Sequence, residues 1–96
     1  MIKMKIVAGP NPYVGGTGAQ VTFGEFERIT KLIVMCSNTD SLAVNDTAYA
    51  VHASFTGVTA TALVFSLVTT GAGNIWTELA GGNMAALRFT FIAEGE

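Results

Sequence analysis

The chain has 96 residues, of which 50% are hydrophobic and 12% charged, with a net charge of −2; soluble domains usually carry about 25% charged residues. That length makes a single domain, residues 1–96, around one core, and the apolar content excludes intrinsic disorder. The five cations Lys3, Lys5, Arg28, Lys31 and Arg88 form no run, which excludes a nucleic-acid surface built on clustered charge.

In chain order, Ile2-Lys3-Met4-Lys5-Ile6 alternates apolar and charged residues, the period-two pattern of a half-buried strand. Gly9-Pro10-Asn11-Pro12 stops it, because proline donates no ladder bond and restricts the residue before it. A glycine-rich loop, Tyr13 to Gly18, leads into a strand from about Ala19 to Phe23. After a turn around Gly24, the segment Phe26–Cys36 becomes strongly apolar toward its end. Ser37–Ser41 and Asn45-Asp46 read as turns, since these side chains mimic backbone turn bonds.

Residues 47–55 place Tyr49, Val51, Ala53 and Phe55 on one face and His52 and Ser54 on the other. Thr56-Gly57 breaks the pattern, and a long strand runs from Val58 to Thr69. Gly71–Asn74 is a turn, Ile75–Leu79 a short strand, and Gly81–Asn83 a further turn. In the last strand Leu87, Phe89, Phe91 and Ala93 point one way, and Arg88, Thr90 and Glu94 the other. Short strands between Gly and Asn turns predict an all-β fold, an antiparallel sandwich or jelly-roll-like barrel of about six to eight strands.

Residues 47–77 contain no charged side chain, which raises the question of a membrane span. Eight Thr, Ser and His residues interrupt the apolar run from Ala50 to Asn74 and Gly57 splits it, so the pattern predicts a hairpin and no span. The long strand is apolar on both faces. Leu63, Phe65 and Leu67 share one; Ala60, Ala62, Val64 and Val68 share the other and suit a close, flat contact with another subunit. With Tyr13 they form the candidate interface.

Chemistry is sparsely signalled. His52 has no placeable nucleophile or orienting carboxylate, and a structural role is expected. Seven scattered carboxylates read as solvated surface, and no His/Cys spacing or acidic loop predicts a metal. The glycine loops lack the lysine of a phosphate loop and the strand–helix context of a dinucleotide fold, so no cofactor is expected. Cys36 follows Leu32–Met35 and reads as a buried thiol. Trp76, Tyr13 and Tyr49 are the possible platforms for a sugar or other ligand. The N-terminus shows no long apolar leader segment, so synthesis and retention in a cytoplasm are expected.

The run VHASFTGVTATALVFSLVTTGAGNIWTELAGGN and the closing FTFIAEGE resemble small structural proteins of tailed-bacteriophage virions, the capsid decoration or cement class in particular. The resemblance implies a β-rich protein on the capsid exterior, made in the host cytoplasm, without catalysis. It implies a homo-oligomer, with a trimer favoured, that reinforces the shell by bridging major capsid subunits. Residues 1–18 would then be a possible N-terminal arm able to add a strand to a neighbouring sheet. A phage tail, neck or fibre protein and a carbohydrate- or ligand-binding β-sandwich are the alternatives.

Overall fold

The computed structural model describes residues 1–38, 49–70, 73–78, 84–85 and 87–96, and among them there are strands and turns but no helix. The described residues form seven strands in order: β1 (Ile2–Ala8), β2 (Ala19–Thr22), β3 (Ile29–Asn38), β4 (Tyr49–Thr56), β5 (Thr59–Thr70), β6 (Gly73–Glu78) and β7 (Leu87–Gly95). They form two antiparallel sheets, one of three strands in the order β1-β7-β3 and one of four built on β5. The all-β sandwich expected from the sequence is therefore what the chain forms. The turns at Asn45-Asp46, Gly71-Ala72 and Gly81–Asn83 lie outside the described residues, as do Asp40, Asp46 and the side chains of Tyr49, Leu67 and Val68. Ser37 and Asn38, expected in a turn, still pair with Arg88 and Leu87.

The organising element is β7. Its burial alternates along nearly its whole length, with Leu87, Phe89, Phe91 and Ala93 inward. As the central strand of its sheet it pairs with β1 along one edge and β3 along the other. The facing layer contributes mostly small residues, Ala19, Val21, Ala60, Ala62 and Val64, all buried. Large rings on β7 and in the loops (Phe89, Phe91, Tyr13, Phe23, Phe26) against small side chains on β2 and β5 let two sheets interdigitate at close-packed density.

The charge-free stretch is the β4–β5 hairpin. Its strands pair from Thr56↔Thr59 out to Tyr49↔Ser66 around a two-residue turn, Gly57-Val58. Gly57 has φ of 61°, the left-handed conformation that such hairpin turns require and that glycine adopts without steric cost.

Two local features set the strand faces. At the start of β3, a bulge lets Ile29 pair with Gly95 while Lys31 pairs with Glu94, leaving Thr30 extra. The bulge switches the alternation, so Ile29 and Leu32 both face the core although they are three residues apart. In β1, the alternation has the period expected, but the apolar set Ile2, Met4 and Ile6 faces outward. Lys3, Lys5 and Val7 lie on the side of Phe91 and Phe89.

Candidate functional site

The register assembles a face that no single segment reveals. Side chains directly across a ladder lie on the same side of the sheet, so the outer face of the three-stranded sheet consists of four rows across β1, β7 and β3. These are Ala8–Arg88–Ser37, Ile6–Thr90–Met35, Met4–Ile92–Ile33 and Ile2–Glu94–Lys31. The two middle rows hold five apolar side chains and one threonine. Ile2, Met4, Ile6, Ile33 and Met35 are each between 53% and 69% exposed. Together they present roughly 600 Å² of apolar surface, at the top of what monomeric proteins leave open in one patch. Charge occurs only at the ends of the patch: Lys31 pairs with Glu94 at 3.8 Å at one end, and Arg88 stands at the other.

Why the lysines rather than the isoleucines of β1 turn inward follows from its place at the sheet edge. The inner side of an edge strand opens onto the rim of the sandwich, where a long side chain can reach water or a partner. Lys5 does so: its Nζ donates to the Thr22 carbonyl at 2.5 Å, lies 3.6 Å from Glu25 and sits 5.0 Å over the Phe23 ring. An inward charge on an edge strand also discourages edge-to-edge pairing with another chain.

A second constellation lies beside β5. Both β2 and β6 pair along the edge of β5 opposite β4, β2 reaching Ala62 and β6 beginning at Phe65. Between them Val64 has no strand partner on that side, and Tyr13 fills the place. Its hydroxyl accepts the Val64 N–H at 2.8 Å and donates to Glu78 Oε2 at 2.8 Å. Glu78 in turn accepts the Gly16 N–H through both oxygens. Burial pushes the Tyr13 phenol up to about 12; the Val64 bond opposes this, and the hydrogen bond and charge of Glu78 add to it. The arrangement fastens loop 13–18 to the second sheet, and its one phenol and one carboxylate are consumed in doing so.

The candidate interface inferred from sequence requires correction. Ala60, Ala62 and Val64 are at most 1% exposed and face the core, as does Tyr13; the Val68 side chain lies outside the described residues. Their small size fits them beneath the rings of β7 rather than against a neighbour. The outward set of β5 is instead the one with Leu63 and Phe65, which are half-buried. Tyr13 is correspondingly excluded as a ligand platform. Residues 1–18 are also built into the protomer: β1 pairs with β7 over seven residues and Tyr13 anchors the loop.

Cys36 departs from expectation too. It lies on the core-facing side of β3, opposite Phe89, yet is exposed. Burial of part of the side chain still raises its thiol above the usual value. His52 is exposed on the outer face of the second sheet, across from Leu63. Trp76 is half exposed on the outward side of β6, while Ile75, its neighbour on the opposite face, is equally open. Among the described residues no three His, Cys, Asp or Glu side chains group closely enough to hold a metal ion, and no helix is long and apolar enough to cross a membrane.

Comparison with protein-family models, curated proteins and solved structures finds no match. The outer face of the three-stranded sheet thus stands on its own chemistry. Its residues were partly visible in the sequence, because the uninterrupted Leu32-Ile33-Val34-Met35 must put two apolar side chains on each face of a strand. Ile92, the single apolar member of the outward set of β7, was the missed one.

Proposed function

We propose that the chain is a non-enzymatic structural subunit of a bacteriophage virion, which as an oligomer decorates the capsid and stabilises it by bridging capsid subunits. The observation that carries this is the outward apolar face of the three-stranded sheet. A protein with few charges and a continuous patch of isoleucine and methionine is suited to a life among neighbours, because burying that surface on association is the driving force for assembly. The resemblance of its strands to the capsid decoration class supplies the kind of assembly.

The test is co-sedimentation of the purified protein with expanded shells of a tailed phage that lack a decoration protein. Saturable binding that raises the shell's melting temperature supports the proposal. Absence of binding together with saturable binding to tails, necks or fibres moves the same structural role to that part of the virion. A second reading, a carbohydrate-binding sandwich, is favoured only by the half-exposed ring of Trp76. A glycan-array signal abolished by Trp76→Ala would replace the structural role by that one.

A further inference from the structure

The rows on the outer face of the three-stranded sheet are complementary to one another under a twofold rotation. Take a twofold axis parallel to the four rows, passing over the level of Lys5, Phe91 and Val34. It lays β1 on β1, β7 on β7 and β3 on β3 with strand directions reversed. The row Met4–Ile92–Ile33 then meets Ile6–Thr90–Met35 of a second copy, and Ile2–Glu94–Lys31 meets Ala8–Arg88–Ser37. Apolar rows fall on apolar rows, and each Glu94 faces an Arg88. The alternative twofold, parallel to the strands, would stack Glu94 on Glu94 and Arg88 on Arg88, which like charges oppose.

We infer that this chain associates with a second copy of itself through the outer faces of the two three-stranded sheets, in the antiparallel arrangement. The area agrees with that occupant. Roughly 600 Å² from the five most exposed side chains, with Ile92, Thr90 and the charged rim added, approaches the about 800 Å² that each partner gives to a standard specific interface. Two twisted sheets pack face to face at about 10 Å, aligned to within about 30°, and none of the middle-row side chains carries a charge that such packing would strand. A shallow depression bounded by Ile2, Leu32, Ile33, Ile92, Lys31 and Glu94 lies where the flexible Met35 of the second copy arrives, and methionine fills irregular gaps readily. This inference deepens the structural role proposed above by naming the contact through which the subunits join. It makes the oligomer even-numbered at this face, where the resemblance favours a trimer.

The experiment has two arms, both on the full chain in a Cys36→Ser background. Sedimentation equilibrium of the parent and of Ile33→Lys is expected to give a dimer that the lysine converts to monomer, with circular dichroism unchanged because Ile33 is outside the core. The second arm mixes chains carrying Lys31→Cys with chains carrying Ser37→Cys and adds a short bismaleimide. These positions lie about 20 Å apart along β3 but opposite each other across the proposed interface, so the mixed product is expected to exceed either homogeneous product severalfold. A parent that stays monomeric at all concentrations overturns the inference. So does an oligomer indifferent to Ile33→Lys, or one whose cross-links are not predominantly mixed. A dimer that ignores phage shells would leave this inference standing and remove the capsid-decorating role; a shell-binding monomer would do the reverse.

Discussion

The Tyr13 hydroxyl accepts the backbone N–H of Val64 at 2.8 Å, standing in for the strand missing between β2 and β6. A loop side chain thereby completes the edge of the second sheet. Tyr13→Phe keeps the ring in place but leaves the Val64 N–H and the Glu78 carboxylate without that partner. Burying an unsatisfied donor costs about 1–3 kcal/mol, and in a domain of this size each kcal/mol lowers Tm by about 4–8 °C. Urea or thermal denaturation of the variant should show a loss of that order.

The same phenol makes stability depend on alkaline pH. Its pKa is raised from 10.0 to about 12 in the folded chain, so the native state holds the proton more tightly than the unfolded one. The contribution is complete below pH 10 and is lost as pH rises from 10 to about 12. Two pH units correspond to about 3 kcal/mol. Denaturation midpoints measured across that window should fall more steeply for the parent than for Tyr13→Phe, which has no phenol at this position to titrate.

Gly18, at the end of the loop that Tyr13 anchors, has φ of 56°, and a Cβ there would lie 2.2 Å from the Ala62 carbonyl oxygen. Both the backbone conformation and the space therefore demand glycine. Gly18→Ala should destabilise the fold by about 2–4 kcal/mol, since displaced backbone adds to the left-handed strain. Gly57→Ala, where φ is 61° but nothing lies near, should cost less. Paired urea titrations separate the two effects.

The small residues of β5 give a further contrast. Ala62 is fully buried, and Ala62→Leu forces three extra carbon atoms beneath the rings of the core. Overpacking of this kind costs about 1–3 kcal/mol or more. Had Ala62 faced a partner, the same change would leave the stability of the isolated protomer nearly untouched. The unfolding free energy at a concentration where only protomer is present distinguishes the two.

Strand positions were legible because alternation, Gly57 and the proline-rich stop are local signals. The all-β class, the hairpin through the charge-free stretch and the two faces of β7 follow from them. What alternation lacks is a sign: it separates two faces without saying which one turns inward. For β7 the rings decide. For β5 both faces are apolar, and the smaller set is inside because the rings of β7, Tyr13, Phe23 and Phe26 already occupy the volume. For β1 the set that looks like core is outside, because the strand pairs at the edge of its sheet and its lysines reach the rim. Tyr13, expected at an interface or as a ligand platform, is an internal anchor for a related reason. Its role depends on where β2 ends and β6 begins along β5, a relation spanning most of the chain. Cys36 sits on the inward side of its strand but near its end, where alternation alone does not report coverage.

Met4 and Met35 face outward, and peroxide oxidation reads both that exposure and its loss beneath a second copy. Methionine oxidises to the sulfoxide according to its exposure, and peptide mapping by mass spectrometry gives a rate at each position. In dilute protein Met4 and Met35 should oxidise nearly as fast as free methionine, ahead of the half-buried Met84. As concentration rises their rates should fall together, and Ile33→Lys should abolish the fall. Slow oxidation in dilute protein would contradict the outward placement, and rates that do not change with concentration would contradict its coverage by a second copy.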